Sequence, residues 1–344
     1  MKIGIIGYGG VGKALIRLLE MQKELLKKDA LEITVKYVVD YYGGIYQSGG
    51  IDLPALIKFT ETEKDITKFD GGSKDVTVAQ MAADPEIDLA VIMTPTDKET
   101  GQPGLGFTEA LLKAKKHVVI SDKGPVMLKY HELKQLAAEN GVQLGIGCTT
   151  GGALPSVNGG IMDMAGAQIT SIEGVLNGTT NFILKYMEDN GCEYADALKE
   201  AQACGIAETN PTLDVEGWDT AGKLLILTNV LMDKKVTLSD ISVQGITHIT
   251  AADVAAAATE NCKYKLVGKT VVEDGKLIMT VKPEKLSQDQ LLYSVEGKNK
   301  AVRYNCDTLG EVVIIGGASG VIPAAASILR DIVNIHRGYK FIGR

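Results

Sequence analysis

The opening stretch MKIGIIGYGGVG limits the architecture more than any other part of the sequence. KIGIIGYG is an apolar run of the kind that forms a buried strand. Gly7, Gly9 and Gly12 then fall in G-x-G-x-x-G register, just ahead of an amphipathic helix expected over residues 13 to 28. That helix places Leu15, Leu18, Leu19, Leu25 and Leu26 on one side. The glycine pattern alone is weak, but a strand before it and a helix after it give it a mechanism. Gly7 allows a tight turn, Gly9 lets backbone approach a pyrophosphate, and Gly12 lets helix and strand pack closely. Gly10 and Val11, inside the same turn, are further cofactor-binding candidates, and the helix start supplies unpaired N–H groups and a partial positive charge that suit phosphate. The competing reading is a strand–helix turn that binds nothing.

Up to about residue 147 the rhythm stays the same. The short apolar stretches EITVKYVVD, DLAVIM, HVVIS and VQLGIG are separated by helical ones such as YHELKQLAAEN. Helices between short buried strands imply a parallel sheet covered on both faces, a doubly wound α/β domain. The second strand ends in Asp40, where an acid would bond the ribose hydroxyls of a dinucleotide. Tyr41 and Tyr42 follow it rather than arginine, so a 2′-phosphate would meet a carboxylate without a local cation. NAD is therefore expected ahead of NADP, unless Asp40 is simply a turn residue. Thr94 and Pro95 follow the strand DLAVIM, and Lys123 follows HVVIS. All three are expected at the carboxyl edge of the sheet, where open α/β folds bind ligands.

From about residue 150 longer helices (180–190, 194–204, 217–232, 251–260) mix with strands at 171–176, 262–272, 276–282 and 300–305. This predicts a separate α+β domain with a mixed or antiparallel sheet. The closing strand–glycine–helix over residues 311 to 338 could pack with either domain. Within it, the uncharged run VVIIGGASGVIPAAASIL has the length of a short membrane span. Its glycine pairs and Pro323 break it into soluble-core elements, so no membrane association is expected. A net charge of −7 argues against nucleic-acid binding, which needs clustered Lys and Arg. The five cysteines show no zinc spacing, and scattered thiols with no signal peptide suggest a reducing, cytoplasmic setting.

The chemistry gathers in GIAETNPTLDVEGWDTAGKLLIL, residues 205 to 227. Asp219 and Lys223 are four apart on one helix face, and the simplest account is an i,i+4 ion pair worth a few tenths of a kcal/mol. Against this, Lys223 runs into LLIL, which implies burial, and a buried lysine has a lowered pKa and can exchange protons near neutrality. Glu208 and Asp219 could together hold a substrate ammonium, with Asp214 capping the helix or joining them. In GVLNGTTNFIL, Gly178 permits an unusual backbone angle and Thr179 or Thr180 is the expected N-cap. The same helix start could instead present N–H groups to a substrate carboxylate.

Taken together, GYGGVG, SDKGP, TTGGALP, GVLNGTTNFIL, GIAETNPTLDVEGWDTAGK and GGASGVIPAAAS resemble homoserine dehydrogenases of the short type over nearly the whole chain. The resemblance implies a Rossmann-type NAD(P)-binding domain (1–148) and an α+β substrate-binding and dimerisation domain (149–309). It also implies a strand–helix segment (310–344) returning to the nucleotide domain, with Gly320 near the cofactor. Lys223 becomes the proton-transfer lysine, and Lys123 its partner at the reacting oxygen. Glu208 and Asp219 hold the amino group of homoserine or aspartate 4-semialdehyde, Gly178 and Thr179 line the pocket, and Asp214 supports them. The loop CTTGGALP corresponds to one whose backbone carbonyls, here of Cys148, Gly151 and Ala153, bind a monovalent cation such as Na+ or K+. A homodimer is implied, and the end at Arg344 implies no appended regulatory domain. Three positions depart from the family pattern: Asp122 stands for asparagine, Ile206 for an aromatic residue, and GGASG for GPGAG. A related dehydrogenase acting on another small amino acid or oxo acid is the competing reading.

Overall fold

Strand β1 (Lys2–Ile6) lies inside a seven-stranded sheet, with Ile3 and Ile5 fully buried. The computed structural model describes residues 1–341. The sheet's other strands are β2 (Thr34–Asp40), β3 (Gly43–Tyr46), β4 (Gly72–Ser73), β5 (Leu89–Ile92), β6 (His117–Ile120) and β7 (Leu144–Gly145), in the order β4-β3-β2-β1-β5-β6-β7. From β2 to β7 neighbouring strands are parallel, giving the doubly wound core read from the sequence. The far edge is different. Tyr41 and Tyr42 form a two-residue turn that sends the chain back as β3, antiparallel to β2, and β4 then adds antiparallel to β3. Gly43 makes this possible: its φ is +133°, and a Cβ there would lie 2.5 Å from the Ser73 carbonyl oxygen.

The helix expected over residues 13 to 28 is two helices, Gly10–Met21 and Lys23–Lys28, separated at Gln22. The break turns Leu25 outward, so it is exposed rather than part of the apolar face. The helix Val321–His336 packs along Gly10–Met21. Its Asp331, fully buried, accepts a 2.8 Å hydrogen bond from the Gly147 backbone N–H.

The chain divides into two compact units, one of residues Met1–Thr149 with the segment from Gly320 onward, the other Thr150–Ser319. The second unit holds β8 (Ile169–Val175), β9 (Ser242–Val243), β10 (Cys262–Glu273), β11 (Lys276–Ser287), β12 (Lys300–Cys306) and β13 (Gly310–Gly316), in the order β13-β12-β8-β10-β11-β9. All its pairings are antiparallel except β11 with β9. Here the expected limits need correction. Strand β13 pairs with β12 along its whole length, so it belongs to this sheet, and the segment 310–344 is divided at Gly320. Strands β10 and β11 form a long hairpin closed by Asp274-Gly275, both with positive φ, the combination a type I′ turn requires. Helix Trp218–Leu231 packs against β10, with Thr220, Ala221, Leu224 and Leu225 among its buried residues. The uncharged run from Val312 becomes strand β13, a glycine-rich turn and a helix start. Among the described residues no helix is long and apolar enough to cross a membrane.

Candidate active site

In the first unit the glycine turn is built as its spacing requires. Gly7 has φ +93°, and a Cβ on it would lie 2.6 Å from the Met93 carbonyl oxygen. A Cβ on Gly12 would meet the Gly7 carbonyl oxygen at 2.4 Å, so helix and strand touch through backbone. At Gly9 a Cβ would meet nothing within 4 Å, leaving open space over the helix start. Gly9 is also the N-cap and has no side chain to satisfy the first N–H groups of the helix that Gly10 and Val11 open. Gly320 caps the Val321–His336 helix in the same unit, and Val321 lies 2.9 Å from where a Cβ on Gly10 would stand. An open turn, bare N–H groups and a second helix start beside it fit the pyrophosphate of a dinucleotide. Asp40 ends β2, its carboxylate accepting from the Tyr41 backbone N–H at 2.9 Å, and Tyr41 and Tyr42 are exposed beyond it.

Lys123, just past β6, is the first residue of the helix Lys123–Glu139. Asp122 is the N-cap, buried, accepting from the Gly124 N–H and from the Thr94 hydroxyl, each at 2.9 Å. The acid at this departure from the family pattern thus ties two strand ends of one sheet edge together. Burial pushes its carboxyl above the ordinary value, against the hydrogen bonds from Gly124, Thr94 and Thr96 that favour the charged form. Thr94, expected at the cofactor, spends its hydroxyl proton on Asp122, while Pro95 is exposed. The Lys123 backbone N–H donates to the Thr96 hydroxyl at 3.3 Å.

In the second unit one asparagine organises the charged residues. Strand β8 runs out at Val175, and Asn177 caps the helix Gly178–Asn190, its Oδ1 accepting from the Thr180 N–H at 2.9 Å. The cap is therefore Asn177, not Thr179 or Thr180. Gly178 has no positive φ; what it provides is closeness, since a Cβ would fall 3.0 Å from the Lys298 carbonyl oxygen. The Asn177 amide nitrogen donates to Asp214 at 2.6 Å and to Asp219 at 2.8 Å. Lys223, from the helix Trp218–Leu231, donates to the same Asp219 oxygen at 2.5 Å and to the Leu176 carbonyl at 2.8 Å. The side chains of Lys223 and Asp219 are 14% and 12% exposed. The i,i+4 ion pair expected from the spacing is present, and it lies largely out of solvent rather than on an exposed helix face. Thr179 turns its hydroxyl to the Ile206 carbonyl at 3.2 Å. Glu208 is exposed on the preceding loop, outside the bonds that join Lys223, Asp219, Asn177 and Asp214.

The expected cation loop does not match its assignment at Gly151. The carbonyl of Gly151 accepts a 2.6 Å hydrogen bond from the buried ammonium of Lys300, so that oxygen is not offered to a free ion. The Cys148 thiol donates to the Ala324 carbonyl at 3.5 Å. Among the described residues no cluster of three His, Cys, Asp or Glu side chains is placed to hold a metal. Asn177 and Lys300 are the two residues that sequence reasoning passed over.

A doubly wound sheet with an open glycine turn at its carboxyl edge is built to bind a dinucleotide, and the comparisons with known proteins make the chain an NAD(P)-dependent oxidoreductase. Residues 1–148 match the oxidoreductase family with an NAD-binding Rossmann fold, and residues 155–333 match homoserine dehydrogenase. The homoserine dehydrogenase of Methanocaldococcus jannaschii is 37% identical, the alignment covering 99% of this chain and 100% of that one. An NAD(+)-dependent homoserine dehydrogenase of Pseudomonas canavaninivorans is 34% identical over 98% of this chain and 96% of its own. A hyperthermophilic archaeal homoserine dehydrogenase solved with NADPH superposes with a TM-score of 0.84 at 25% identity, covering 99% of both chains. The chain belongs to the homoserine dehydrogenase family. Its reaction is the reversible, NAD(P)-dependent interconversion of L-homoserine and L-aspartate 4-semialdehyde.

Proposed function

We propose that Lys223 moves the proton in this reaction and that Asp219, Asn177 and Asp214 hold it in place. The observation that carries the reading is the pair of short bonds on the Lys223 ammonium, to the Leu176 carbonyl and to Asp219. An ammonium has three N–H donors, and two are spent on fixing its direction. The third position is left for a substrate oxygen: as the ammonium Lys223 gives a proton to the carbonyl in reduction, and as the neutral amine it takes the hydroxyl proton when homoserine is oxidised. When bound, the nicotinamide supplies the hydride exchange with C4 of the substrate. Lys123 is assigned to proton transfer as well. Glu208 and Asp219 hold the substrate ammonium, and Gly178 and Thr179 line its pocket. The test is Lys223→Met. Turnover should fall roughly 100- to 10,000-fold, the range of general acid–base catalysis, while cofactor titration is unchanged. A turnover number near that of the wild type would refute the assignment.

For the cofactor we infer NAD over NADP, because Asp40 is followed by the tyrosines rather than by a cation. The relatives do not decide this, since one is named NAD(+)-dependent and another was solved with NADPH. Gly7, Gly9, Gly10, Val11, Gly12, Thr94, Pro95 and Gly320 complete the proposed cofactor surface. A free monovalent cation on the Cys148, Gly151 and Ala153 carbonyls does not fit the Lys300 bond, and no step is drawn through one. We further propose a cytoplasmic homodimer. The exposed Val272, Ile278 and Ile315 on the second unit's sheet support the dimer. Sedimentation should give twice 36.6 kDa, and a monomer at micromolar concentration would overturn this; cell fractionation tests the location.

A further inference from the structure

Lys300 opens β12 and is 5% exposed, yet its charge is not brought indoors idly. A buried ammonium is costly unless oxygens replace its water. Here one such oxygen is a backbone carbonyl, that of Gly151 at 2.6 Å. Carbonyl oxygens held by a tight loop are what small hard cations take as ligands, and an ammonium offers the same unit charge at a similar reach.

The surrounding loop is built to keep that geometry. A Cβ on Gly151 would lie 2.8 Å from the Leu154 Cβ, and one on Gly317 would lie 2.5 Å from the Leu154 backbone nitrogen. The Thr150 and Ser156 hydroxyls share a buried 2.7 Å bond, and Tyr304 of β12 donates to the Ser156 carbonyl at 2.6 Å. Loop 150–156 is thus gripped from β12 at both Lys300 and Tyr304. Close by in the chain, Lys298, two residues before Lys300, and Ser319, two residues after Gly317, both lie against Gly178 at the start of the proposed substrate helix.

We infer that Lys300 is a tethered monovalent cation: its ammonium holds the Gly151 loop, so that the enzyme needs no added Na+ or K+ for activity or stability. The inference does not depend on the role given to Lys223.

The test uses the full chain dialysed into a buffer whose only cation is tetramethylammonium, followed by titration with Na+, K+ or NH4+. Turnover of homoserine and the melting temperature are both read. The wild type should give flat titrations. Lys300→Ala removes the charge and opens space, so it should melt lower, turn over severalfold more slowly, and recover both with K+ or NH4+ in a saturable way. Lys300→Met removes the charge but fills the space, and should not recover. Severalfold activation of the wild type by Na+ or K+ would overturn the inference, as would a folded Lys300→Ala that no cation restores. If that variant fails to fold, sodium NMR relaxation on the wild type decides. Absence of a saturable site supports the tethered cation, and a saturable site overturns it.

Discussion

Replacing Asn177 separates two jobs that one side chain performs. The Thr180 backbone N–H can only donate, so the amide oxygen must face the helix and the amide nitrogen must face Asp214 and Asp219. Asn177→Ala loses the cap, worth about 1 kcal/mol, and two bonds to carboxylates of about 1.5–3 kcal/mol each. With water entering the gap, a net loss of roughly 4 kcal/mol is reasonable, or a fall of about 10 °C in melting temperature for a unit of this size. Asn177→Asp is the informative partner. Aspartate caps a helix as well as asparagine does, but it brings a third carboxylate to 2.6–2.8 Å from two others. It should therefore melt below Asn177→Ala. Both variants should also cut turnover by on the order of 100-fold, because Lys223 takes its direction from Asp219 and a displacement of about 1 Å costs that much. Calorimetry and steady-state kinetics with homoserine read the two effects. If Asn177→Asp melts and turns over like the wild type, the bridge to the carboxylates does no work and only the cap matters.

Two further outcomes follow from the geometry. Lys265 is 1% exposed and donates to the Asn181 side chain at 2.9 Å and the Val295 carbonyl at 2.6 Å. Burial pushes its pKa down to about 8, with Glu296 opposing. Between that value and the roughly 10.4 of an unfolded lysine, the unfolded chain binds the extra proton, so stability rises with pH across this window. The wild type should gain roughly 3 kcal/mol on Lys265→Met from the bottom of the window to the top, and a loss in denaturant melts would contradict the burial argument. For the cofactor, the wild type should prefer NAD by kcat/KM, and Asp40→Ser with Tyr41→Arg should move the ratio towards NADP. An unmoved ratio would show that Asp40 does not read the ribose.

Most of the nucleotide unit was legible because its strands are apolar and its glycines sit where only a turn explains them. Strands β3 and β4, of four and two residues, are too short to carry a periodic signal, so the antiparallel edge was invisible. Strand β13 was legible as a strand but not by its partner, since pairing with β12 depends on tertiary packing rather than local pattern. The acids and lysine of the substrate segment could be named, but spacing alone favoured a surface ion pair. Asn177 drew no reading of its own, because the cap was expected at Thr179 or Thr180. Its second role exists because the short helix Thr212–Val215 and the helix Trp218–Leu231 both return to the end of β8. Lys300 and Lys265 were missed for a common reason: a lysine in a strand is ordinarily a solvated residue, and nothing beside either one signals its burial.

The bond between Asp331 and the Gly147 N–H joins groups 184 residues apart in the chain. Its consequence concerns the order in which a growing polypeptide can fold. The nucleotide unit begins to emerge first, but the flank of its Gly10–Met21 helix is covered by Val321–His336, which is synthesised only after the whole second unit. The second unit is contiguous and can complete its sheet as soon as β13 has been made. The part of the molecule that starts first is therefore the part that finishes last, and for most of translation its apolar flank must be kept from other chains.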